Sequence, residues 1–388
     1  MKQARPALLA TLAGTGNGRS MSLTQNIQHA RMIATRRSQA DGDRSATARR
    51  AIMLLATVLL LVAIFSLFQG ASDASALAVI KSWLGLGGGD AVTTRDRVVI
   101  EAIRAPRMAM AMLVGAALAV AGAVMQGLFR NPLADPGIVG TTSGASLGAV
   151  SVIVLGETLF APFTALLGSF ALPVAAFVGA LVVTLALYRI ATNSGATSVA
   201  MLLLAGIAMA ALANALTGLL IFMSDDQQLR DLNFWLLGSL AGATWVKVWT
   251  AGPIILAALL FMPSLAHGLN CIVLGEAAAG HMGVSVQRLK AVAVVLIAAI
   301  VGAAVAVSGG IGFVGVVVPH LLRLAIGPNH RYLLPAAALL GASLLLLADN
   351  VSRTIVAPAE LPIGIVTAIF GTPFFFWILL RRRALLGF

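Results

Sequence analysis

The chain has 388 residues, 59% of them hydrophobic and 10% charged, with a mean hydropathy of +0.97. A soluble domain carries about 25% charged residues, so this composition excludes a soluble enzyme, a disordered chain and a coiled coil, and leaves a polytopic membrane protein. The net charge of +12 does not point to nucleic acid, because nine of the 26 Lys and Arg lie in residues 1–50 and three more are Arg381, Arg382 and Arg383, with no aromatic residues interleaved for base stacking.

Residues 1–50 are polar and basic, and too long before the first apolar run for an ordinary signal peptide. They read as a mostly disordered cytoplasmic extension. A bilayer core of ~30 Å takes about 20 apolar residues as a helix. On that measure, spans fall at 51–69, 108–129, 137–155 and 163–188, and a fifth runs from the polar turn 191–198 to 223. Five more follow at 244–263, 291–307, 311–324, 332–348 and 361–380, making 51–383 a membrane domain with a cytoplasmic tail at 384–388. The stretch 70–106 is charged and reads as a loop with one short amphipathic helix; 225–231 is polar, and 267–290 is mixed, with short interfacial helices.

Ten spans put both basic ends on one side, which the positive-inside rule makes cytoplasmic. The turns 130–136, 191–198, 267–290 and 326–331 then face the cytoplasm, and the loops 70–106, 156–162, 224–243, 308–310 and 349–360 face outward. Lys81, Arg95, Arg97 and Arg104 in the first outer loop run against that rule.

Gly310–Gly315 matches G-x-G-x-x-G, but it lies among spans with no acid before Asp349, so its glycines read as close packing at a helix start. Gly144–Gly148 matches the G-x-S-x-G elbow, yet Ser146 sits inside a span, and Gly140, Gly144 and Gly148 read as a small-residue helix face. The four lysines, Lys2, Lys81, Lys247 and Lys290, follow no glycine, so the chain has no P-loop and any ATP site belongs to another subunit. Cys271 is the one cysteine, and no Cys/His cluster has metal-ligand spacing. Pro319 frees a carbonyl one turn earlier, which needs another partner in lipid. His320 reads as a packed or hydrogen-bonding side chain rather than a metal ligand.

The segments RAPR at Arg104–Arg107, VGAALA at 114–119, GAVMQ at 122–126 and RNPLADP at 130–136 form a continuous pattern. With LLLAG at 202–206, GSLAGATW at 238–245, FVGVVVPH at 313–320, DNVSR at 349–353 and LPIGIVT at 361–367, it closely resembles the permeases of the FecCD family, type II ABC importers of iron-siderophores, haem and cobalamin. The resemblance covers about 51–383. It implies ten helices per subunit, a homodimer with a central pathway, two cytoplasmic ATPase subunits that hold ATP and Mg, and a periplasmic binding protein. The chain itself is then no enzyme, binds no cofactor or metal, and partners lipid but not nucleic acid. Residues 225–240 and 130–136 look most like the haem permeases, so haem is the expected cargo and the bacterial inner membrane the expected location. A ferric siderophore or cobalamin is the alternative cargo, and an ion-coupled carrier the distant alternative.

The same resemblance carries roles to individual residues. Arg104, Arg107 and Arg353 match outward-facing arginines that dock the binding protein. Gly275, Glu276, Ala279 and Gly283 match the segment seated in the ATPase groove. Asn131 with Thr197, Ser198, Val199 and Ala200 matches the inner gate. The fifth span, rich in Leu, Ala and Gly and lacking His, Tyr and Cys, would line the pathway through Met201, Met209, Asn214 and Thr217.

Overall fold

The computed structural model describes residues 44–70, 74–85, 92–193, 196–357 and 359–386. The expected extension lies almost wholly outside them. The first span, α1 (Ser45–Phe68), begins six residues before the expected start at 51, since Ser45–Arg50 are compatible with helix beyond the apolar core. The expected short helix follows as α2 (Ala76–Trp83).

The second span, α3 (Thr94–Leu128), runs 35 residues and absorbs much of the expected loop 70–106. Thr93 caps its start by accepting from the Asp96 N–H. Val98–Arg104 is wound as a π-turn immediately before Pro106. A proline has no N–H to give and crowds the preceding turn, and a widened turn relieves both problems.

The chain then passes a 3-10 turn at Pro136–Val139 and enters α4 (Thr141–Leu155) and α5 (Ala161–Ala191), the latter kinked by a 3-10 turn at Gly168–Phe170. The short antiparallel strands β1 (Thr192–Asn193) and β2 (Ala196–Thr197) lead to α6 (Val199–Phe222). Next comes an amphipathic helix, α7 (Asp226–Leu236), which the polar reading of 225–231 had not resolved. Asp225 and Gln228 close it with a reciprocal capping box.

The remaining elements are α8 (Trp245–Ile272), α9 (Glu276–His281), α10 (Val286–Ser308), α11 (Val314–Ile326), α12 (His330–Thr354) and α13 (Ile363–Leu386). Among the described residues seven of these helices are long and apolar enough to cross a membrane, and α4, α11 and the Ile363–Trp377 part of α13 are shorter apolar segments, so that ten follow the expected spans in order.

Small residues let these helices meet backbone to backbone. A Cβ on Gly115 of α3 would lie 2.3 Å from the Gly341 carbonyl of α12, and one on Gly148 of α4 would lie 2.1 Å from the Ala175 carbonyl of α5. Gly144 faces the Gly179 carbonyl in the same way, so the small-residue face is real. Gly140 also meets α5, where a Cβ would lie 2.9 Å from Val183, but it does so from the N-cap of α4, with φ of 72°. Gly122 of α3 packs on Gly315 of α11, as the glycine-rich helix start suggested.

Helix α11 is entered by a non-helical stretch, 309–313, that packs against the 235–239 segment; there the Ser239 N–H donates to the Ser308 carbonyl at 2.8 Å. Pro319 leaves the Gly315 carbonyl without its helical donor, and buried Gln126 of α3 supplies one through Nε2 at 3.2 Å. His320 packs its ring edge-on against Phe374 of α13.

Candidate functional site

The polar side chains gather at the two ends of the helical bundle. At the end bearing α2, Arg107 of α3 donates through Nε to both Asp349 oxygens, at 2.9 and 3.1 Å, and through a terminal nitrogen to Glu360 at 2.8 Å. Arg353 of α12 reaches back to the Ser66 carbonyl at 2.7 Å and the Ser66 hydroxyl at 2.8 Å, and also donates to Asn350. Arg104 donates to the Leu67 carbonyl at 2.7 Å. Those carbonyls belong to the last turn of α1, where helical partners run out.

The three expected docking arginines therefore come together, but not as free outward charges. They are 4%, 5% and 7% exposed, and each has partners inside the chain. The physical reason is that Asp349 and Glu360 supply carboxylates and the end of α1 supplies carbonyls. Asp349 is buried at 1% exposure, whereas Glu360 remains 39% exposed at its side chain. A buried carboxylate in a membrane helix needs such a partner.

At the opposite end, Gly275, with φ of 108°, turns the chain from α8 into α9. Ala279 of α9 is fully buried, and Gly283 leads out of the helix with φ of 83° into open space. Beside them, Val273, Leu274 and Met282 are large apolar side chains exposed by 54%, 71% and 46%. Glu276 accepts from buried Lys290 at 2.8 Å, and the same ammonium donates to the Thr197 carbonyl at 2.7 Å. Gln287 accepts from the Thr197 N–H at 2.9 Å. Lys290 and Gln287 thus tie the α9 segment to the β1–β2 hairpin, and the reading of the sequence had assigned neither. Nothing in the local sequence announces a contact across 93 residues.

Thr197 is buried, while Ser198 caps α6 by accepting from the Met201 N–H at 3.3 Å. Val199 is half-buried and Ala200 exposed. Asn131 is exposed and turns the 130–136 segment by accepting from the Leu133 N–H at 3.0 Å. Asp135 does the same for Gly137 at 2.7 Å. Burial pushes the Asp135 carboxyl up, while that N–H pulls it down. The following 3-10 turn packs on α6, so the two segments expected to form the gate share this end of the molecule.

Between the ends, α6 packs one face on α4 and α5 and leaves the other open. Leu202, Gly206, Ala213 and Thr217 form the packed stripe. Leu204, Ile207 and Leu219 are exposed by 66%, 66% and 56%. Met201 and Asn214 lie on the exposed side and Met209 at its margin. Thr217 corrects the expectation: at 7% exposure it falls on the packed stripe and lines no open surface. No group of three or more His, Cys, Asp or Glu poised for a metal occurs among the described residues.

The FecCD transport family profile matches residues 58–381. The chain is 48% identical to the hemin transport system permease protein HmuU of Yersinia pestis over 281 residues, which is 72% of this chain and 83% of that one. It is 40% identical to the vitamin B12 import system permease protein BtuC of Escherichia coli over 334 residues, 86% of this chain and 96% of the relative. A solved metal-chelate type ABC transporter in an inward-facing conformation superposes with a TM-score of 0.74 at 33% identity, covering 86% of this chain and 99% of that one.

Proposed function

Since the chain belongs to the FecCD transport family, as an ABC importer permease that spans the membrane many times, we propose that its cargo is haem, carried across a bacterial inner membrane. The observation that carries this reading is the 48% identity to a hemin permease, above the 40% to the vitamin B12 permease. The open face of α6 supports it. That face is apolar, with Asn214 as a weak polar contact and no strong axial ligand to trap iron.

Two copies would face one another across α6. Two ATPase subunits, holding ATP and Mg, would dock on α9 and the exposed apolar rim of Val273, Leu274 and Met282. A periplasmic haem-binding protein would dock at the arginine end. There, half-exposed Glu360 is the carboxylate that Arg107 would exchange for an acidic group of the arriving protein.

The inner gate would be Asn131 and 197–200. ATPase closure must favour one conformation over the other by several kcal/mol to invert the gate. The path for that work is short: α9 through Glu276 to Lys290, on to the Thr197 carbonyl, then to Ser198 at the cap of α6.

The test is uptake into proteoliposomes containing the permease, its ATPase and its binding protein. ATP-dependent haem accumulation, unaffected by excess ferric siderophore, is the expected result. Siderophore or cobalamin uptake without haem uptake overturns it.

A further inference from the structure

Away from α6, a cavity of about 400 Å³ opens where α7 and the 239–242 turn meet α5, α8 and α10. Its polar lining includes Lys247, Asp231 and Trp235. The Trp235 indole N–H is enclosed and has no acceptor. Among the described residues, the Lys247 ammonium makes no ion pair and no side-chain hydrogen bond. Asp231, on the exposed side of α7, is likewise not paired with it. The enclosed Trp235 N–H is shut off from this space, so the half-buried, unpaired Lys247 ammonium is the cation that faces it.

A second, narrow cavity of about 70 Å³ lies directly beneath and shares Ala306 and Val307 with the first. Its walls are apolar apart from Thr250, whose hydroxyl is spent on the Val246 carbonyl at 2.7 Å. The three helices agree on the direction of descent. Along α5 the lining passes from Leu172 to Phe177, along α8 from Lys247 to Ile254, and along α10 from Ser308 back to Ala303. Seven helical residues make a descent of about 10 Å. The polar cavity therefore sits near the start of α8, at the level where Trp245 donates to the Glu101 carbonyl at 2.7 Å, and the slot points into the hydrocarbon.

A polar chamber over an apolar slot at a membrane surface has the shape of one phospholipid. The charges narrow it further. Lys247 suits a phosphate, and Asp231 suits a cation attached to it. We propose that this is a binding site for phosphatidylethanolamine, its phosphate on Lys247, its ammonium on Asp231 and one acyl chain in the slot between α5, α8 and α10. None of the residues lining it belongs to α6.

The test is native mass spectrometry of the purified permease released from nanodiscs containing equal phosphatidylethanolamine, phosphatidylglycerol and phosphatidylcholine. Wild type should retain phosphatidylethanolamine over the other two. A hydrogen bond to a charged group is worth ~1.5–3 kcal/mol, so Lys247→Met should cut retention of all three lipids by about tenfold or more. Asp231→Asn should abolish the preference while sparing lipid retention, and Trp235→Phe, which keeps the ring and removes only an N–H closed off from the chamber, should leave both unchanged. Equal retention in wild type and all three variants overturns the proposal. So does displacement of the lipid by millimolar inorganic phosphate, which would make the chamber a site for a small soluble anion.

Discussion

The two polar ends of the bundle are built on opposite plans. At the arginine end, α1, α3, α12 and the segment before α13 are bound by three guanidinium groups, two carboxylates and the carbonyls that finish α1. At the lysine end, a single ammonium joins α9 to the hairpin before α6. Breaking one bond in the first leaves other bonds between the same elements. In the second, Lys290 alone among the described residues bonds both α9 and the hairpin, since Gln287 reaches only the hairpin. A network with redundant partners suits a surface that must keep its shape, and a single joint suits a place where force is passed on.

The sharpest way to break this comparison is Asp349→Ala. It removes the buried carboxylate that Arg107 and Arg353 share, leaving Arg107 with half-exposed Glu360 alone, and removing one partner of a buried pair costs about 3–5 kcal/mol. Thermal unfolding in detergent should show a large loss of stability, and an unchanged midpoint would mean that the arginine end is not held by its ions. Gly283→Val comes next. A β-branched residue at positive φ carries strain of order 1–3 kcal/mol, yet the position faces open space. Transport should therefore fall far more than stability. Full transport with normal ATPase stimulation would remove α9 from the coupling path.

Lys290→Met should cost about 1 kcal/mol, the worth of an ordinary hydrogen bond, because Glu276 is 40% exposed and returns to water. Its signature is uncoupling: ATP hydrolysis continues while uptake is lost. If uptake per ATP is unchanged, the joint transmits nothing. Glu360→Gln should be the mildest, at ~0–1 kcal/mol, because Glu360 itself is half-exposed and buried Arg107 keeps Asp349. It should still alter the salt dependence of binding-protein docking. Unaltered docking would exclude the exchange at Arg107.

Much of this arrangement is legible in the sequence, for reasons that differ by residue. The spans follow from apolar length, and the contact of Gly144 and Gly148 with α5 follows from their spacing. The Gln126 bond to Gly315 answers a need that Pro319 makes visible, although the donor itself could not be named. What escaped is of two kinds. Helix α7 was masked by its polarity, although Asp225 with Gln228 three residues on is a capping-box signature that would have found it. Pairings between distant segments, such as Lys290 with Thr197 or Arg107 with Asp349, have no local signal. The inward turn of Thr217 is a matter of helical phase: it shares a stripe with Leu202, Gly206 and Ala213, which hydropathy alone does not distinguish from the open face.

Helix α11 carries a consequence for how the protein reaches the membrane at all. Its 13 residues give a rod of about 20 Å, against a hydrocarbon layer of ~30 Å. The remaining depth falls to the non-helical stretch 309–313, whose peptide groups lipid cannot satisfy. Neighbouring segments make up the difference, with Ser239 bonded to the Ser308 carbonyl and Gly364 of α13 packed on Gly310. Such a segment has no stable transmembrane state of its own. During biogenesis it enters the bilayer as part of a group, after the 238–243 loop is in place and together with α13, so truncation before α13 leaves an earlier helix stranded as well as removing the last one.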